Sequence, residues 1–134
     1  MMESVNKIIC AVDFSPASLK AIEYAARIAS YKNAYLFLLH VYPPALLITG
    51  KPIMKETEDR LNALCTLHDP LHWFIQPFLQ IGDVSQTIVN CTDTMKADFI
   101  VMCCDNCLKN NGRIGSTATY VLEHSATPVI LLKY

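Results

Sequence analysis

Residues 7–16 read KIICAVDFSP: a strand, a turn and the first residue of a helix, in that order. Lys7–Val12 is short, apolar and rich in β-branched residues, which favours a pleated and covered strand. Asp13, Ser15 and Pro16 then supply turn and helix-start chemistry. Short oxygen-bearing side chains bond to nearby backbone, and proline fits a first helical turn. The next residues predict a helix from about Ala17 to Tyr31. Ile22, Ala25, Ala26 and Ala29 share one face, while Lys20, Glu23 and Arg27 share the other, with Glu23 and Arg27 spaced for an ion pair.

Further along, the same alternation repeats. Ala34–Val41 is a nearly continuous apolar run ended by Pro43 and Pro44, as expected for a strand covered on both faces. Pro52–His68 has helical spacing through Ile53, Thr57, Leu61, Leu64 and His68. Trp73–Gln80 reads as a third strand, and Pro77 predicts that it lies at a sheet edge. Gly82 and Asp83 form a turn and cap, with Gln86 three residues on, before a helix whose inner face carries Val84, Ile88, Cys91 and Met95. Asp98–Cys103 is a fourth strand and Asp105–Arg113 a polar loop. Ser116–His124 is a fourth helix with Ala118, Val121, Leu122 and Ser125 on one side, and Pro128–Lys133 a fifth strand.

Strict strand–helix alternation implies a parallel sheet with helices on both faces, a three-layer α/β sandwich. Ligands of such sheets bind beyond the carboxyl ends of the strands, where strand order reverses. Three sequence-distant places then become candidates: Asp13–Ser15, Val41, and the stretch from Met102 to Ser116.

Composition excludes several classes. The 134 residues are expected to form one domain, 1–134, and at 52% apolar and 17% charged they suit a buried core. A net charge of −1 gives no cationic footprint for nucleic acid or an anionic membrane. The longest apolar region, Ala34–Ile48, is interrupted by His40, Pro43 and Pro44, short of the roughly 20 residues a spanning helix needs. Met1–Asn6 is mostly polar and Ile8–Val12 is too short for a signal core, so a soluble cytoplasmic protein is expected.

The residues with reactive side chains read mostly as structural. Cys10 and Cys91 sit among apolar neighbours, as small buried residues of a reducing compartment do. Cys103, Cys104 and Cys107 form a cluster containing C-x2-C. It follows a strand rather than opening a helix and has no second C-x2-C, so neither a thioredoxin-like motif nor a structural zinc site is expected. His40 lies in an apolar strand and is read as a hydrogen-bonded core histidine. His68 and His72 make a poor metal site without a third ligand. Ser116 suits a helix N-cap with anion binding added.

Five segments, in order, resemble the universal stress protein family: KIICAVDFSPASLKAIEYAARIA, LFLLHVYPP, QIGDVSQTIV, ADFIVM and GSTATYVLEHSATPVILL. The resemblance implies a Rossmann-like sheet of order 3-2-1-4-5, of the adenine nucleotide alpha hydrolase type. It also implies a homodimer built by antiparallel pairing of the fifth strands through Val129, Ile130, Leu131 and Leu132. Nucleotide-binding members carry G-x2-G-x9-G-[ST] after the fourth strand. Here the final pair is Gly115-Ser116, but Cys103 and Asn106 occupy the places of the earlier glycines, and eight residues separate Asn106 from Gly115. Glycine there lets a backbone approach phosphates and adopt positive φ; a Cys103 side chain would lie where a ribose or phosphate belongs.

Carried over residue by residue, the implied nucleotide site is Ala11, Asp13, Val41, Met102, Cys103, Asn106, Gly115, Ser116 and Thr117. The expected function is a small dimeric stress-response binding or regulatory protein with weak or absent ATP binding, no catalytic residue and no bound metal, serving a protein partner the residues do not identify. Alternatives are an ATP-binding (Mg-ATP) switch or slow ATPase, and a thiol redox or metal module at the cysteine cluster. No HxGH or KMSKS signature is present to mark an adenylyl transferase.

Overall fold

In the computed structural model the described residues are 6–45, 53–104 and 114–133. Strand β1 (Lys7–Ala11) buries Ile8, Ile9 and Cys10 completely, because it lies at the centre of the sheet. Helix α1 (Pro16–Lys32) starts where Ser15 leaves the helical region and its hydroxyl accepts the Ser18 N–H. It stops at Asn33, whose left-handed backbone (φ 52°) turns its N–H back onto Ala29 and Ser30 carbonyls.

β2 (Tyr35–Tyr42), α2 (Ile53–His68), β3 (Ile75–Ile81), α3 (Val84–Met95), β4 (Phe99–Cys104), α4 (Ser116–His124) and β5 (Val129–Lys133) complete the chain. All four strand pairings are parallel, in the order β3-β2-β1-β4-β5. Cys10 stands opposite Leu38 on one side and Val101 on the other, which fixes the register of the centre. Pro77 is on the edge strand β3, as its missing N–H requires.

The pleat divides the core in two. Ile8, Cys10, Leu36 and Leu38 face α1 and α2, packing on Ala21, Ile22, Ala25, Leu61 and Cys65. Ile9, Leu39, Ile100 and Met102 face α3 and α4, packing on Ile88, Val89 and Val121. Each fully buried Leu or Ile contributes about 2 kcal/mol of transfer free energy, which is why nearly continuous apolar strands end up covered on both faces.

The turn into α3 follows its sequence signature. Asp83 caps the helix by accepting the Gln86 N–H at 3.1 Å. Gly82 has φ 156°, and a Cβ there would come within 2.5 Å of Thr87 Oγ1, so the turn needs glycine. A second staple was not anticipated. Asp69, between α2 and β3, is 4% exposed and accepts the backbone N–H groups of Phe74 (2.7 Å) and Ile75 (2.9 Å). Burial alone would raise its carboxyl. The backbone N–H groups of Ile75, Phe74 and Trp73, together with nearby His72, outweigh that and hold it below the ordinary carboxylate value.

Several expectations need correction. Trp73 lies before β3 rather than within it and is 75% exposed. Leu122 does not share the buried side of α4 with Ala118 and Val121; it is 42% exposed. Glu23 and Arg27 do not pair. Among the described residues the ion pair that forms is Lys55–Asp59 at 2.9 Å, on the solvated side of α2, where it adds little. No helix among the described residues is long and apolar enough to cross a membrane.

Candidate functional site

The chain runs outward from β1 through β2 to β3, then returns to β1's other side to lay down β4 and β5. Order therefore reverses between β1 and β4. At that point the carboxyl ends of β1, β2 and β4 and the start of α4 enclose a cavity of about 470 Å³. The rule for open α/β sheets puts ligands there.

Of the nine residues assigned to the site from sequence, eight border this cavity. Ala11 and Asp13 come from the end of β1, Val41 from β2, Met102 and Cys103 from β4, and Gly115, Ser116 and Thr117 from α4. Asn106 lies outside the described residues, as do the polar loop Asp105–Arg113 and Cys107.

Asp13 is held by its own turn. Its Oδ1 accepts the Ser15 N–H (2.9 Å), and its N–H donates to Ser18 Oγ (3.1 Å). The second carboxylate oxygen has no protein partner among the described residues and remains available at the mouth of the cavity. The turn is strained. Phe14 has φ 66°, a region that costs an aromatic residue about 1–3 kcal/mol. Its ring is clamped in return: His40 lies 4.7 Å away on centroids, and the Arg60 guanidinium sits 4.2 Å from the ring centre, a cation–π contact of about 1 kcal/mol.

The start of α4 differs from expectation. Gly115, not Ser116, is the N-cap, with φ −64° and ψ 164° and no side-chain cap hydrogen bond. Ser116 is already the first helical residue, too far along to cap. The first-turn N–H groups thus face the cavity end without a side-chain acceptor, at the positive end of the helix dipole. Gly115 is also uncrowded, since a Cβ there would meet nothing within 4 Å.

Cys103 is the other correction. Alternation along β4 sends Met102 toward α3 and α4 but packs Cys103 against the α1-side cluster that holds Cys10. The residue borders the cavity, yet its side chain is not directed to the side shared by Ala11, Met102 and Ala118. The Cys10, Cys65 and Cys91 thiols are not activated. Burial, and then nearby Cys103, pushes Cys10 up; burial, and then Asp69, pushes Cys65 up to about 11; burial raises Cys91. Cys104 is buried and disulfide-bonded. No group of three His, Cys, Asp or Glu among the described residues is placed to hold a metal ion, so His68 and His72 gain no third ligand.

Sequence reasoning missed the apolar floor made by Leu39, Val84, Ile88 and Ala118, and the wall made by Pro43 and His40. Ile88 and Ala118 were legible as inward-facing helix positions, but nothing in their spacing said that they stop short of closing the core. His40 is hydrogen-bonded as expected: its Nδ1–H donates to the Val12 carbonyl at 2.7 Å.

The fold is shared with solved structures. A universal stress protein in complex with cAMP is 23% identical, with a TM-score of 0.75 over 98% of both chains. The protein UspA from Lactobacillus plantarum is 22% identical, with a TM-score of 0.76 over 98% of this chain and 99% of that one. A universal stress protein from Archaeoglobus fulgidus in complex with dAMP is 19% identical, with a TM-score of 0.77 over 98% and 100%. No curated protein matches in sequence. The sequence pattern of the universal stress protein family, however, matches residues 4–133, which includes every element from β1 to β5 and every residue that borders the cavity. On that match, the chain belongs to the universal stress protein family.

Proposed function

We propose that this protein is a small cytoplasmic stress-response regulator whose cavity takes an adenine nucleotide through its nucleoside and first phosphate, with little or no gain from further phosphates. One observation carries the reading: eight of the nine expected contact residues converge on a single cavity at the switch point of the sheet. Asp13 suits a ribose hydroxyl, the Val41 backbone an adenine edge, and the uncapped start of α4 a phosphate. Two family members of the same fold bind cAMP and dAMP, each with a single phosphate. The glycines that would let a loop wrap a longer phosphate chain are replaced by Cys103 and Asn106. The reading is a binding protein rather than an enzyme.

Isothermal calorimetry tests this with adenosine, AMP and Mg-ATP. The expected result is binding of AMP with a Kd on the order of 100 µM, and of Mg-ATP no tighter than AMP. A low-micromolar Kd for Mg-ATP would replace this reading with that of an ATP-dependent switch.

The same proposal includes a homodimer through β5. Val129, Ile130, Leu131 and Leu132 are half-buried on an edge strand whose outer backbone groups have no partner strand in the sheet. Light scattering at micromolar concentration is expected to give twice the chain mass; a monomer would exclude the pairing.

A further inference from the structure

Ala11, Val12, Asp13, Ser15 and Ser18 border the cavity, in a run from the end of β1 into α1. Phe14 interrupts that run. Its ring packs instead on the core cluster that α1 and α2 share with their side of the sheet. The backbone shape that parts Phe14 from its neighbours is the left-handed one, with φ 66°.

Nothing in an aromatic side chain favours that shape, and it persists only where the surroundings impose it. The surroundings here are contacts of the ring. His40 packs on it at 4.7 Å with a 46° tilt, and the Arg60 guanidinium lies 4.2 Å from its centre. Arg60 belongs to α2, and no described residue of α2 borders the cavity. A contact made outside the cavity therefore sets the form of a turn that borders it. The same turn carries Asp13, whose Oδ1 accepts the Ser15 N–H and whose own N–H donates to Ser18 Oγ.

We infer that Phe14 is a positioning residue: its ring, held by His40 and Arg60, keeps the Asp13–Ser15 turn in the form that presents Asp13 to the nucleoside. The inference rests on the adenine nucleotide reading and adds to it the device that sets the geometry of Asp13. It also makes α2 part of the binding apparatus without a ligand contact of its own.

The test follows AMP binding by amide-shift titration in wild type, Phe14→Ala, Phe14→Gly and Arg60→Gln, each with and without Asp13→Asn. Asparagine can still accept the Ser15 N–H, so the turn keeps that bond while the charge is lost. Phe14→Ala is expected to bind AMP about tenfold more weakly, and Phe14→Gly only about threefold, because glycine enters positive φ without penalty. Arg60 is exposed, so Arg60→Gln leaves the core intact. It is expected to cost about threefold, the size of an exposed cation–π contact, and Arg60→Lys to restore most of it. In the Asp13→Asn background these losses should vanish, which a general loosening of the fold would not produce. If Phe14→Ala, or Arg60→Gln where Phe14→Ala does not fold, binds AMP as wild type does, the Phe14 inference is overturned and the nucleotide reading stands. Losses of the same size in the Asp13→Asn background overturn it equally. Wild type that binds no AMP at millimolar concentration overturns both.

Discussion

Replacing Asp69 with alanine is expected to destabilise the fold by about 3 kcal/mol, and to lower the melting temperature by about 10 °C. The carboxylate accepts N–H groups from Phe74 and Ile75, at the point where the chain leaves α2 and enters β3. Hydrogen bonds to a charged acceptor contribute about 1.5–3 kcal/mol each, and here the loss leaves buried donors with nothing to bond. The Ile75 N–H is the more serious of the two, since Ile75 is 1% exposed. Because Asp69 has a lowered folded-state value, its contribution is fully present above the unfolded carboxyl value, about 3.9, and is lost as pH falls through the folded one. The stability gap between wild type and Asp69→Asn should therefore be constant near neutral pH and close as the pH drops below about 4. Thermal melts across pH 2–7 measure it; a gap that widened in acid would mean that the carboxylate is not the stabilising form.

Gly115→Asp should separate stability from binding. The N-cap backbone at Gly115 is one that any residue adopts, and its Cβ direction is empty, so aspartate fits. It would accept first-turn N–H groups and complement the helix dipole, raising stability by about 0.5 kcal/mol. The same carboxylate would occupy the donors on which a phosphate is expected to rest, and would repel it. AMP affinity should fall at least about tenfold, equivalent to roughly 1.4 kcal/mol, while adenosine affinity stays unchanged. A melt and two calorimetric titrations suffice. Equal losses for AMP and adenosine would show that the phosphate does not sit at α4.

Much of this architecture was legible because it depends on local pattern. Apolar runs at Lys7–Val12, Ala34–Val41 and Asp98–Cys103 read as strands, and their alternation with amphipathic helices leaves few topologies. The site was legible to the extent that it follows from where strands end. What escaped depends on contacts between residues distant in sequence. No spacing rule brings Arg60 onto Phe14 or His40 Nδ1 onto Val12 O. Asp69 drew no attention in the sequence, because its partners are backbone groups at the entry to an element whose start was placed two residues early. Cys103 looked obstructive on paper because a sequence does not display the pleat; on β4 its parity directs it to the α1 side. Ser116 lost the cap to Gly115 by a single position, a shift well within the uncertainty of helix ends.

The two margins of the sheet are unlike. β3 carries Pro77, a residue that blunts strand addition, and β5 carries none. The proposed lateral pairing would therefore run through the β5 margin and not through β3. On the proposed pairing through β5, each copy would present outward only its proline-bearing margin, so assembly would terminate at a closed pair instead of propagating into a fibre.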